Sequence, residues 1–413
     1  SRSYSVTISD IGGGGGTTGL QFYPLAHPVR LLETRAGQSG CFTPGAPIAG
    51  GTSRTQPARG ICDGLTIPAN AAAITGNITT VQSGGGYLTL YPSNSQQPLV
   101  ANSNYGPNEI LNNVFTVGLG NDGAFKIFAL NTTDVVVDVT GYYAPPAASG
   151  LYFHPLPKPI RLLETRAGQT GCFTPNAPLQ GGTNTAQLGQ TSCGGVTIPA
   201  GAQALVGNAT TVGPQGGGYL TLYPANAAQP LVASSNFLNG QVMNAPFTVG
   251  LSPSGDFNIF TTTTTDLVVD VLGYYSAQLN DVNGAGLLLY SLPSPTRLLD
   301  TRLGTSGCFT PGAPISSGST MTQTATGVCT AIPATAKAIV GNATVVNPQS
   351  GYLTFWPSNA QQPLVATSNY PSPAAAGYNR HYFVGLSPID GTFKILTQVT
   401  TDVILDASGY FAP

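Results

Sequence analysis

The chain has 413 residues, 53 of them Gly and 34 Pro, and only 7% carry a charge, 14 Lys/Arg against 16 Asp/Glu; an ordinary soluble domain carries about a quarter. A net charge of −2 without a basic cluster offers no footprint for a nucleic-acid backbone or for anionic lipid. A hydrophobic share of 41%, with 18 Tyr and 16 Phe, excludes a disordered chain.

The sequence opens at Ser1 without an initiator Met or a basic and apolar leader, and so reads as a processed product; no run of 18 or more apolar residues predicts a membrane span. Residues 1–18 are expected to form an arm. Ser3-Tyr4-Ser5-Val6-Thr7-Ile8 alternates polar and apolar side chains, which places Tyr4, Val6 and Ile8 on one face of an extended strand. Glycines 12–16 read as a hinge, since they lack the Gly-Lys-Ser/Thr ending of a phosphate loop. A lone tethered strand is unstable in water. Two outcomes are open: it completes the sheet of its own first unit, or it pairs with an edge of a neighbouring subunit. The second is a head-to-tail contact that need not close and generates filaments.

The rest is a threefold repeat, cut at 19–149, 150–285 and 286–413. Each unit begins with PVRLLETR, PIRLLETR or PTRLLDTR and continues into a cysteine pair: Cys41 and Cys62, Cys172 and Cys193, Cys308 and Cys329, each 21 residues apart. Cys41 to Cys172 is 131 residues and Cys172 to Cys308 is 136, a period that fits tandem whole domains and not a solenoid. The Gly- and Pro-rich stretch inside each pair would be a loose excursion if left open. Closing about 20 residues is worth roughly 3 kcal/mol in the chain-entropy model. Two Cys without a repeated His supply too few soft ligands for zinc, so three local disulfides and an oxidising, extracellular setting are expected.

Next comes IPANAAAI and its copies, a helical turn at most. Asn77-Ile-Thr79, Asn208-Ala-Thr210 and Asn342-Ala-Thr344 follow at one place in every unit; with Asn131-Thr132-Thr133 they are candidate glycosylation sites, against the alternative that GNxT is a turn-forming strand start. GYLTLYP, NNVFTVGL, FKIFAL and DVVVDVTGYY are short, β-branched and aromatic, and bounded by turn formers. In the last of these Val135, Val137 and Val139 alternate with Asp134, Val136 and Asp138, which predicts one buried face. The predicted fold is all-β: three tandem antiparallel sandwiches, each with one local disulfide, preceded by the arm. Trp356 and the Tyr residues of GYLTLYP have the chemistry to stack on sugars, although one aromatic per strand is more often cross-strand packing.

Recurrence across the units filters the charges. Arg30/Arg161/Arg297, Glu33/Glu164/Asp300, Arg35/Arg166/Arg302, Asp134/Asp266/Asp402 and Asp138/Asp270/Asp406 are fifteen of the thirty charged residues. Two Asp four apart on a strand share a face and could serve acid/base chemistry or calcium. An Arg accompanies the acids in every copy, which favours a structural cluster locking the RLLETR segment to the last strand. No His recurs: His27 aligns with Lys158 and Ser294, His154 with Tyr23, and His381 with no other His. No Ser-His-Asp or Cys-His arrangement is present in three copies, and paired cysteines leave no thiol nucleophile. Neither an enzyme nor a bound cofactor is expected.

RLLETR or RLLDTR, IPAxAxAxxGNxT, GYLTxxP, a following SN and the terminal VVVDVxGYY together resemble a module common in secreted and cell-surface proteins of actinobacteria and related bacteria, often in tandem. The resemblance covers all three units and implies an exported β-rich module without assigned catalytic activity. The expectation is a secreted structural protein whose partner is itself, self-assembling into a filament, tube or surface layer. The alternative is a tandem carbohydrate- or cell-wall-binding adhesin, with glycans as partners and three copies for avidity.

Overall fold

A computed structural model describes residues 18–81, 83–346, 349–370 and 377–413. Tyr4, Val6, Ile8 and the glycine hinge lie outside the described residues. In the first unit β1 (Gln21–Glu33), β2 (Thr52–Pro57), β3 (Gly60–Cys62), β4 (Leu65–Ile67), β5 (Ala73–Val81), β6 (Gly84–Pro92), β7 (Ser103–Pro107), β8 (Leu111–Gly118), β9 (Ala124–Ala129) and β10 (Asp134–Ala144) follow in chain order. They form two four-stranded antiparallel sheets, ordered β1-β10-β5-β8 and β2-β9-β6-β7, and a small β3-β4 hairpin that presents Cys62. The second and third units repeat both orders, giving six four-stranded sheets in all, and a short hairpin of Asn280–Asp281 with Gly284–Ala285 joins those two units. The described residues are all-β. Where a helical turn was expected, Pro68 to Ala71 is a β-turn closed by the Ala71 N–H on the Pro68 carbonyl, 3.0 Å.

The alternation of β10 directs Val135, Val137 and Val139 into the unit's core with Leu32, Ile78 and Phe125. Rings from the two sheets meet there: Phe115 and Phe125 have centroids 6.1 Å apart, Phe247 and Phe257 6.4 Å, and Phe355 and Tyr382 5.3 Å. The opposite face of β10, expected to be open, is also covered, with Val136 and Asp138 buried. A neighbouring unit covers it.

The units close into a ring. Phe22 and Leu151 exchange both backbone hydrogen bonds, as do Phe153 with Leu287 and Leu289 with Leu20. By the repeat alignment these are one contact made three times, first unit to second, second to third and third back to first. Around the resulting pseudo-threefold axis Phe22, Phe153, Phe383, Phe411, Tyr143 and Tyr275 form a separate buried cluster, in which Phe22 lies 4.3 Å from Tyr275 and Phe153 4.5 Å from Phe411, ring centre to ring centre. Burying one such ring is worth about 1.5–3 kcal/mol, so the axis is a second core that no single unit possesses.

Candidate functional site: the seams between units

Each disulfide joins its pair at a Cα separation of 5.6 Å, and no cysteine among the described residues is free. The recurring charges gather beside the seams as one connected cluster in each unit, in which Arg161 Nη1 also donates to Glu164 at 3.2 Å and Arg30 and Arg297 lie 3.5 Å from Glu33 and Asp300. Arg30 Nε donates to Asp138 Oδ1 at 3.0 Å, Arg161 to Asp270 at 3.0 Å and Arg297 to Asp406 at 2.9 Å, which ties β1 and its copies to the last strand. The second arginine turns back on its own segment: Arg35 Nε and Nη2 grip Glu33 at 2.9 and 2.7 Å, and Arg166 with Glu164 and Arg302 with Asp300 repeat the fork. Asp134, Asp266 and Asp402 accept instead from the hydroxyls of Thr34, Thr165 and Thr301. The Asp pair thus faces an arginine and a threonine, and no group of three or more His, Cys, Asp or Glu is placed to hold a metal among the described residues.

Burial raises the Asp138, Asp270 and Asp406 carboxyls to about 6, against the opposing pull of their arginines. In Glu164 and Asp300 burial again works upward, but the arginine fork outweighs it and the net shift is downward.

The sequon asparagines are not surface acceptors. Asn77, Asn208 and Asn342 are buried, and each donates its amide across a seam, to the carbonyl of Ala233 at 2.6 Å, Ala366 at 3.3 Å and Ala101 at 3.2 Å. Only Asn131 is exposed. The preceding glycine has its own reason: a Cβ on Gly76, Gly207 or Gly341 would overlap the carbonyl oxygen of Asp138, Asp270 or Asp406, where the last strand bulges toward it. Trp356 is buried, so it presents no face to a sugar.

Two sets of seam residues escaped the sequence reading. Asn112, Asn244 and Asn379 donate to the carbonyls of Ser234, Thr367 and Ala101 and accept from the N–H groups of Asn236, Asn369 and Asn104. Their recurrence within NNVF, MNAPF and YNRHYF was a usable signal, passed over because the comparison of units took charges, Cys, His and sequons but not the other asparagines. The other is Arg380, fully buried at the axis. Its guanidinium donates to the carbonyls of Asn244 at 2.8 Å, Asn379 at 3.1 Å and Asn112 at 3.5 Å, contacts Met243 Sδ and the Tyr378 hydroxyl, and lies over the Tyr378 ring. Burial lowers it to about 9. One guanidinium fills the axis, so this charge occurs in one copy, and a search for recurring charges passes over it.

No helix among the described residues is long and apolar enough to cross a membrane. No protein-family model matches the chain, and no curated protein does. Two solved structures are similar at a distance. One, from an archaeal virus and described by its triple jelly roll fold and turret assembly, has 11% identity and a TM-score of 0.18 over 96% of this chain and 90% of that one. The other, from Sulfolobus turreted icosahedral virus, has 11% identity and a TM-score of 0.17 over 95% and 91%. Likeness this distant assigns neither fold nor function to the chain.

Proposed function

We propose that the chain is a structural subunit of an extracellular assembly, joined to its neighbours by the strand of residues 3–8. One observation carries the reading: among the described residues, ring closure leaves one open sheet edge per unit. β1 lies against Met243–Gly250, β7 against Tyr378–Gly385, and β8 against both of those strands, so these edges are covered. Among the described residues, β2 and its counterparts Thr183–Leu188 and Thr320–Thr324 have a partner on one side only. β2 carries Arg54 and Pro57, the usual guards of an edge, whereas its two counterparts have no charge, no Pro and no break in register. Such edges accept an added strand through main-chain hydrogen bonds, and the low surface charge offers little self-repulsion. Three disulfides fit an oxidising compartment. Electron microscopy of the chain and of a variant lacking residues 1–10 tests the reading: the full chain should form polymers and the shortened one folded single rings. Polymers from both would remove the arm from the assembly.

Within this subunit we read each pair of sheets as the two facing layers of a jelly-roll sandwich, not as two of six propeller blades. In a blade, four strands consecutive in sequence lie side by side. Here β1 and β2, β5 and β6, and β8 and β9 fall in different sheets, as two interleaved Greek keys require, and the Phe115–Phe125 contact supports facing layers. A density map with six single sheets radiating from the axis overturns this arrangement.

A second reading, a saccharide-binding adhesin, is favoured by the clefts at two of the seams, which share an Arg pair, an Asp, a Tyr and a Gln-Pro-Leu segment.

A further inference from the structure

One loop at each seam carries a side chain that packing does not explain. Leu99, Leu231 and Leu364 are 92%, 71% and 80% exposed. Each is nevertheless Leu, preceded each time by Pro and an exposed Gln. The leucine is thus an apolar surface at the same place in every unit, beside polar groups that a ligand could also reach. Across the seam stands the forked arginine. Arg35, Arg166 and Arg302 spend Nε and Nη2 on their carboxylates, while Nη1 takes no partner among the described residues and the side chains stay 33%, 35% and 37% exposed.

At two seams these groups border a measurable cleft. Between the second and third units Arg166, Gln362, Leu364 and Tyr352 line a cavity of 340 Å³. Between the third and first, Arg302, Gln97, Leu99 and Tyr87 line one of 380 Å³. Both fall in the size range of small-ligand sites, ~300–1,000 Å³. The one acid in each lining, Asp270 or Asp406, is already bound to Arg161 or Arg297. At the first of these seams the walls combine the inner strands Ala202–Val212, Asp266–Ser276 and Gly351–Pro357 with Arg161 and Asn369 of the edge strands Tyr152–Glu164 and Ser368–Tyr370, and those edges pack against Tyr378–Gly385 and Met243–Gly250, which leaves little room for a peptide backbone.

Resting on the adhesin reading, the geometry points to the seam clefts as sites for an acidic saccharide, one with a uronate-type carboxylate. The free Nη1 of the forked arginine donates to the carboxylate, the Gln amide meets ring hydroxyls, and the exposed Leu covers the C–H face of the sugar. Repetition around the ring suits a repeating polymer, in which weak single sites add by avidity.

The test is calorimetric titration of the full chain with a tetrasaccharide of alternating glucuronate and N-acetylglucosamine, a neutral N-acetylglucosamine tetramer, and acetate. The acidic tetrasaccharide should bind, and the triple variant Leu99→Asp, Leu231→Asp, Leu364→Asp, with all three changes on exposed positions, should weaken it by about tenfold or more at an unchanged melting temperature. Equal binding of the neutral tetramer overturns the acidic class, and equal binding of acetate reduces the cleft to a general anion site. Undiminished binding by the triple variant overturns the cleft and leaves the adhesin reading standing. No binding of either saccharide by the unaltered chain overturns both.

Discussion

The Nε of Arg380, in the third unit, donates to the main-chain carbonyl of Asn244, in the second, at 2.8 Å. The same guanidinium reaches the equivalent carbonyls of the other two units, so one side chain ties all three copies of a single backbone position together at the axis. Arg380→Met keeps much of the volume but leaves buried carbonyls without a donor. It should destabilise the ring by about 1–3 kcal/mol, read as a lower melting temperature by calorimetry; an unchanged melting temperature would refute the tie.

Asn77, Asn208 and Asn342 should be unmodified in protein from a host that glycosylates sequons, since their amides are buried in seams. Peptide mass spectrometry reads this directly. Each change to Ala should cost about 1 kcal/mol, the usual net worth of a hydrogen bond, without a mass shift from lost glycan.

Gly207→Ala places a methyl group against the Asp270 carbonyl, and the main chain of two paired strands has to move apart to admit it. A loss of about 1–3 kcal/mol is expected, as for other overpacked sites. Gly168→Ala is a useful contrast, since nothing stands near its Cβ position and the cost there comes only from its left-handed backbone, φ +74°.

Asp138→Ala removes the acceptor of Arg30 Nε and Nη2 and should lower stability by about 1–3 kcal/mol. The structural role predicts that calcium and a chelator leave the melting temperature of both proteins where it was. A calcium-dependent rise in the parent that disappears in the variant would restore the metal reading.

The three buried aspartates and His381 respond to acid in opposite senses. Asp138, Asp270 and Asp406 hold their protons up to about 6, above the ordinary 3.8. Their contribution is therefore fully present below the ordinary value and is lost as pH rises through 6. Burial lowers His381 from 6.5 to about 3, so its contribution is lost as pH falls below 6.5. Replacing His381 by Asn removes the opposing group, and between pH 7 and pH 5 the variant should gain melting temperature relative to the parent. Carboxyl carbon NMR should show the three aspartates titrating near pH 6.

Much of a single unit was legible in the sequence. Period-two alternation in DVVVDV and turn formers between short β-branched runs identify strands, because a half-buried strand must place alternate residues on one face. Equal cysteine spacing identified the local disulfides, since only the pairing of neighbours repeats with the unit. The charge cluster was legible together with its tie between the RLLETR segment and the last strand; the threonine partners of Asp134, Asp266 and Asp402 were not, because they depend on the register in which the strands come alongside. The sequons left a surface acceptor and a strand segment both open, because a local motif carries no information about what lies above it.

By itself the sequence determined the all-β character and the disulfides, both of which follow from local pattern and recurrence within one unit. Only the tertiary structure decided what becomes of the unit's second face. The low charge that first excluded nucleic acid and lipid lets largely neutral surfaces of Asn, Thr and Val press together with few ions to desolvate, chiefly Arg380 and the Arg-paired aspartates, so the third unit returns to the first. That closure buries Asn77, gives Arg380 three carbonyls to hold, and leaves, among the described residues, one open edge per unit and Leu99, Leu231 and Leu364 exposed. These depend on contacts between residues more than a hundred positions apart, which periodicity cannot register.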